Sequence, residues 1–163
     1  MTLTTNINYL QPTGFKLVMD RKHYGNLQFF ASSVNHPSVT VAAPELSYKR
    51  ANIMLAGDKL RFGEVSFSVI LDEDMKSYQE MYDWMQLLVE NPNTRPTERT
   101  DTIPATTADI SLVALTSHNN SSKTIRYIDA VPTSLGDIAF EATSTENHIT
   151  FPVTFAFSYF ELV

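Results

Sequence analysis

Residues 149–159 limit what this chain can fold into more than any other stretch. Ile149, Phe151, Val153, Phe155, Phe157 and Tyr159 recur at every second position, with Thr150, Thr154 and Ser158 between them. A period of two held this long describes a β-strand with one face in a core, and it excludes a helix. Pro152 has no amide hydrogen to give to a ladder, which predicts an edge strand or a bulge at that point. Val65, Phe67, Val69 and Leu71 repeat the pattern around Ser66 and Ser68. Shorter strand-like runs cover residues 15–19 and 27–34, joined by a charged turn at 20–26 that holds His23 and Gly25. Two more, at 109–116 and 123–130, flank the polar turn 117–122, where Asn119 and Asn120 favour a reversal. A last run at 137–143 alternates through Ile138, Phe140 and Ala142, which predicts these three facing inward.

Only one segment has helical spacing. Met75, Tyr78, Met81, Tyr82, Met85, Leu88 and Val89 form an apolar stripe, so a helix is expected over about 73–90. Asp72 or Asp74 can cap its start, and Asn91 with Pro92 ends it. The three methionines of the stripe read as core filler. From about 36 to 63 the pattern weakens, punctuated by Pro37, Pro44, Gly57 and Gly63. A long loop with at most short strands is expected there, and a polar, non-periodic connection over 91–107. The fold class is therefore mostly β, an antiparallel β-barrel or sandwich with one flanking α-helix.

The 163 residues read as a single domain spanning 1–163, and 43% hydrophobic content is enough for a core without staples. The absence of cysteine removes thiol catalysis, thiolate zinc sites and disulfides together. A net charge of -6 has the wrong sign for gripping a phosphate backbone. No apolar run approaches the ~18 residues a membrane helix requires. The N-terminus lacks a basic start followed by an apolar run, which argues against a secretory signal. His23, His36, His118 and His148 are scattered and read as solvated loop histidines. Asp72 and Asp74 lack the spacing of a cation loop, and Gly57 with Gly63 lacks the ending of a phosphate loop. No nucleophile elbow is present. The expectation is no enzyme, no cofactor and no metal, which leaves binding or structural work. One pointer stands out: an apolar island at 51–56, centred on Ile53, Met54 and Leu55, lies between Lys49, Arg50 and Lys59, Arg61. Such an island either folds under the core or docks on a neighbour.

The order of these elements resembles the tail tube proteins of contractile-tailed, T4-like bacteriophages, whose fold recurs in the inner tube of type VI secretion systems. The likeness rests on Ala56-Gly57-Asp58 before a basic residue, Phe62 and the strand from Val65 to Leu71. It continues in Asp72-Glu73-Asp74 leading into a helix that holds Tyr82-Asp83-Trp84. It ends with Pro132-Thr133-Ser134-Leu135-Gly136-Asp137-Ile138 and a final strand closing on Tyr159-Phe160-Glu161. The N-terminal segment and residues 91–107 match no motif of the family. The resemblance implies hexameric rings whose sheets join into one inner barrel and stack into a tube inside a sheath. The partners it implies are further copies of the chain, the tail sheath protein, a baseplate tube initiator and a tape-measure protein. DNA would pass without sticking, and no membrane is involved. The implied location is the virion tail, assembled in the host cytoplasm. The loop Tyr48, Lys49, Arg50, Ala51, Asn52, Ile53, Met54, Leu55, Ala56 is then the expected inter-subunit or inter-ring surface. With residues 138, 140 and 142 inward, Asp137 and Glu141 become the lumen-facing candidates. The alternatives are a tube-end protein (baseplate tube initiator or tail terminator), an injection-system inner tube, or a monomeric β-sandwich binding module.

Overall fold

The computed structural model describes residues 9–19, 25, 30–89, 107–142 and 148–163. Seven strands form one antiparallel sheet. They are β1 (Phe15–Val18), β2 (Ala31–Asn35), β7 (Val65–Ile70), β8 (Ala108–Leu115), β9 (Ser121–Leu135), β10 (Thr150–Ala156) and β11 (Tyr159–Leu162). The order is β1-β8-β9-β10-β7-β2, with β11 on the other side of β9. One buried cluster takes Leu17 from β1, Ile110 and Leu112 from β8, and Tyr127 and Ala130 from β9. Val65, Phe67 and Val69 from β7 and Phe151, Val153 and Phe155 from β10 join it, with Met19, Met81 and Trp84 from outside the strands. The sheet therefore curls around a single core, and the alternation in β7 and β10 is what fills it.

Helix α1 (Lys76–Leu88) closes that core. It begins three residues after the expected start, because the acidic segment before it forms a turn and not a first helical turn. The Met75 amide donates to the Asp72 carbonyl at 3.0 Å, and Met75 itself is left-handed at φ 53°. The Asp72 carboxylate then accepts from the Lys76 amide, the Ser77 amide and the Ser77 hydroxyl at 3.0, 3.0 and 2.7 Å. Those are amides that a helix start leaves without partners. Burial alone would push the Asp72 carboxyl up, but these hydrogen bonds hold it below its ordinary value. Met81 and Trp84 are buried on the inward face, with Trp84 tilted against Phe155 at 5.5 Å and Tyr78 edge-on to Phe151. Met75, Tyr82 and Val89, expected in the apolar stripe, are exposed instead.

Three strand expectations need correction. Residues 137–143 do not form a strand over 137–142, and Thr143 lies outside the described residues. The preceding strand instead continues through Pro132 to Leu135, beside a register shift between Thr154 and Phe155 where a proline is tolerated. Pairing ends at Gly136, whose amide donates to the Pro152 carbonyl at 2.7 Å. A Cβ on Gly136 would lie 2.3 Å from Pro152 Cγ, so the strands meet here too closely for any side chain. Beyond that point Ile138 still packs on the core, but Phe140 is 70% exposed and Ala142 is also on the surface. Second, of the two alternatives for Pro152, the edge is excluded, since β7 and β9 flank β10, whereas the β10–β9 register does shift two residues on, between Thr154 and Phe155. In an antiparallel ladder a residue's N and O point the same way. The Pro152 nitrogen therefore faces the side where β9 has just departed, and its missing donor breaks no ladder bond. Third, the run 149–159 is divided at Phe157 and Ser158, and β11 leaves β10 to pair with the first half of β9.

The division of labour in β9 depends on a corner at Asp129, which is left-handed at φ 53°. Its amide donates to Asp109 Oδ1 at 3.3 Å, and Arg126 holds Asp109 Oδ2 at 2.6 Å. Before the corner β9 lies between β8 and β11; after it, β9 pairs with β10.

Candidate assembly surface

Residues 36–63 are not an unstructured loop. They form a two-stranded arm in which β3 (Val39–Val41) pairs with β6 (Leu60–Phe62), and β4 (Glu45–Tyr48) pairs with β5 (Ala51–Met54). Lys49, left-handed at φ 50°, and Arg50 make the tip, with the Lys49 ammonium 5.6 Å from the Tyr48 ring centroid. Between the two pairs the Leu55 amide donates to the Pro44 carbonyl at 3.0 Å. Gly57 lies so close to the Ala42 carbonyl that a Cβ would fall 1.5 Å from its oxygen.

The cross-strand register sorts the arm's side chains by face. On one face of the outer pair, Glu45 stands opposite Met54 and Ser47 opposite Asn52. Asn52 ties this face together, donating to Glu45 Oε2 at 3.2 Å and accepting from the Ser47 hydroxyl at 3.0 Å. The other face carries Leu46 opposite Ile53 and Tyr48 opposite Ala51, an apolar side with Leu46, Tyr48 and Ile53 all exposed. The inner pair repeats the division, with Val39, Val41, Leu60 and Phe62 on one face and Thr40 opposite Arg61 on the other. Strands with one apolar face belong against a core. Here no part of the described chain covers that face, apart from Phe62.

Phe62 belongs to the arm's root. It packs against Phe157 and Phe160 at 5.9 and 5.4 Å. His36, at the other root, meets the Phe160 ring edge-on at 5.0 Å, and its Nδ1 pairs with the Tyr127 hydroxyl at 2.8 Å. Tyr127 is fully buried, and desolvation pushes its hydroxyl's pKa up, so it is a hydrogen-bond donor and not an anion. Burial pushes the His36 ring down, so the neutral ring is the favoured partner. His36 is exposed, as a solvated histidine was expected to be, but it is also a root contact of the arm. His118 and His148 are exposed, and His23 lies outside the described residues.

The profile of the phage tail tube protein family matches residues 1–162. The chain belongs to that family. No curated protein matches it. Among solved structures, this tail tube family member resembles a chain of an extracellular contractile injection system, the PVC sheath–tube complex in the extended state. The TM-score is 0.68 at 13% identity, over 99% of both chains. It resembles equally a chain of the anti-feeding prophage cap, the tube-terminating cap, at TM-score 0.68 and 15% identity, over 98% of this chain and 95% of that one. A protein of a type six secretion system matches at TM-score 0.54 and 9% identity, over 91% and 81%. At these identities the likeness is one of fold, and with the family it makes the chain a tube-type structural protein.

The expected assembly loop is the outer half of the arm. Tyr48, Lys49, Arg50, Ala51, Asn52, Ile53, Met54, Leu55 and Ala56 are all exposed, Met54 at 67%. The apolar island therefore does not fold under its own core. Asp137 and Glu141 are exposed on an irregular segment after β9, and the strand alternation that put them on a barrel wall is absent. Sequence reasoning missed Trp84 as the helix's largest core residue and His36 as a root contact. The two-faced register of the arm was also missed, although the order Leu46-Ser47-Tyr48 and Asn52-Ile53 carries its alternation. Among the described residues no group of acidic or histidine side chains is arranged to hold a metal.

Proposed function

We propose that this chain is the repeating subunit of an inner tail tube: hexameric rings, stacked within a contractile sheath, conduct DNA and the tape-measure protein in a phage tail. The observation that carries this reading is the arm, an ordered ribbon whose apolar face is left uncovered by its own described chain. Such a face is stable in water when a neighbouring copy covers it. A stack also requires a ring contact that closes and a second contact that does not, so two surfaces must differ in kind. The edges of β1 and β2, which no described strand pairs with, and the projecting arm are two such surfaces. The protein works mechanically and not as a catalyst, in the tail of the virion, with the sheath protein and a baseplate tube initiator as partners.

The sequence leaves open an injection-system tube or a tube-end protein, and the cap chain of similar fold gives the second a specific footing. Negative-stain microscopy of the purified protein distinguishes them: tubes of uniform width support the repeating subunit, and single rings that do not stack support a tube end. A protein that stays monomeric by light scattering at high concentration, across several salts, overturns both.

A further inference from the structure

Four neighbouring segments, Ala31–Asn35, Val65–Ile70, Thr150–Ala156 and residues 131–135 of β9, contain no Asp, Glu, Lys, Arg or His. The rest of the same sheet is charged: β1 carries Lys16, β8 Asp109, the first part of β9 Lys123, Arg126 and Asp129, and β11 Glu161. On the core side the charge-free half is apolar, as any core is. On its other side the register lines up Asn35, Ser66, Thr154 and Ser134 across all four strands, with Ser33 beside Ser68 in the next row. All six are exposed or half-buried. Exposed protein surface is commonly about a quarter to a third charged. An interface core is instead apolar and aromatic. The same side also carries Thr150 beside Ile70, Pro152 beside Ser68, and Ala156 beside Val131, so the face mixes hydroxyls with a few apolar side chains, and what sets it apart is that it is neutral throughout.

We infer that this hydroxyl face is the wall of the tube's bore. The inference rests on the tube reading and replaces Asp137 and Glu141 as the surface that meets the cargo. A wall without cations releases no counterions from a passing phosphate backbone, so it offers DNA no electrostatic hold. A wall without carboxylates gives a basic protein segment nothing to pair with. Short side chains also leave few groups to catch on a moving chain. The bore then passes a charged linear polymer by lacking features, where a negative wall would work by repulsion.

The chain's lack of cysteine makes the test direct. Ser66→Cys and Ser68→Cys each place one thiol on the face, and Asp83→Cys, on the exposed side of α1, serves as control. Each variant is labelled as free subunits and as assembled tubes, with a small maleimide and with a polymer-bearing maleimide too wide for the bore. The expected result is that, on assembly, residues 66 and 68 lose labelling by the polymer-bearing reagent and keep labelling by the small one. The control should not follow that pattern. Equal labelling by both reagents in tubes puts the face outside, and loss of both puts it in a subunit contact; either overturns the inference. If one variant fails to assemble, the other carries the test. Unmodified protein that forms no rings or tubes by microscopy overturns the tube reading itself, a failure visible before any labelling.

Discussion

The Asp72 carboxylate and the His36 ring carry much of what fixes the helix start and the arm's root, and both titrate. Asp72 satisfies two amides and a hydroxyl, so Asp72→Ala is expected to cost about 1 kcal/mol, the usual worth of an N-terminal cap. Because its folded pKa lies below the ordinary 3.8, the stabilisation is present above that value and is lost as pH falls through the lowered one. Melting curves of the parent and Asp72→Ala should therefore converge in acid. His36 also has a lowered folded pKa. From its ordinary 6.5 downward the unfolded chain takes the proton first, so stability falls until the native ring protonates as well. The groups known to face this ring, the Tyr127 hydroxyl and the Phe160 ring, bring it no charge. His36→Ala should cost about 1–3 kcal/mol by leaving the buried Tyr127 hydroxyl unpaired. The pair His36→Phe with Tyr127→Phe should restore most of that loss and flatten the slope below pH 6.5. Thermal melts across pH check both outcomes.

Among the elements, the arm and the body should separate under mutation. Changing Ile53, Met54 and Leu55 together to Ser should leave the melting temperature near that of the parent and abolish assembly. Losing three core side chains would instead cost several kcal/mol and unfold a domain of this size. Circular dichroism with light scattering decides the matter, and an unfolded triple mutant would place the arm under its own barrel. Gly57→Ala forces apart the strands at Ala42 and should act on assembly, whereas Gly136→Ala collides with Pro152 and should lower stability by about 1–3 kcal/mol. The elements legible in the sequence are those whose faces differ sharply in polarity, such as Val65–Ile70 and Thr150–Ala156. Residues 137–143 alternate as well, but what ends their strand is a close approach of Gly136 to Pro152, which periodicity does not encode. The arm was legible as an apolar island, but its being uncovered was left open and its ribbon form was missed, because alternation over four residues is too short to stand out. His36 could not be placed from sequence because its partner, Tyr127, lies 91 positions away.

For the whole molecule, charge is distributed unevenly. Residues 36–63 hold Lys49, Arg50, Lys59 and Arg61 against Glu45 and Asp58, a charge of +2 that leaves -8 on the remainder of a chain whose net is -6. A cationic arm reaching an acidic body in the next copy is an attraction that salt weakens. Lys49→Glu with Arg50→Glu should therefore raise the concentration needed for assembly, and raising salt should narrow the gap between variant and parent, as followed by sedimentation. The arm has a second consequence, which is kinetic. A lone two-stranded ribbon is only marginally stable in water. The first copies to meet must each fix an arm that little else holds, whereas later copies land on a surface where the arms ahead of them are already fixed. Growth should thus begin with a lag, and sheared fragments of finished polymer should abolish it. Length would then be set by whatever seeds and stops the polymer, because the subunit itself encodes only how to continue.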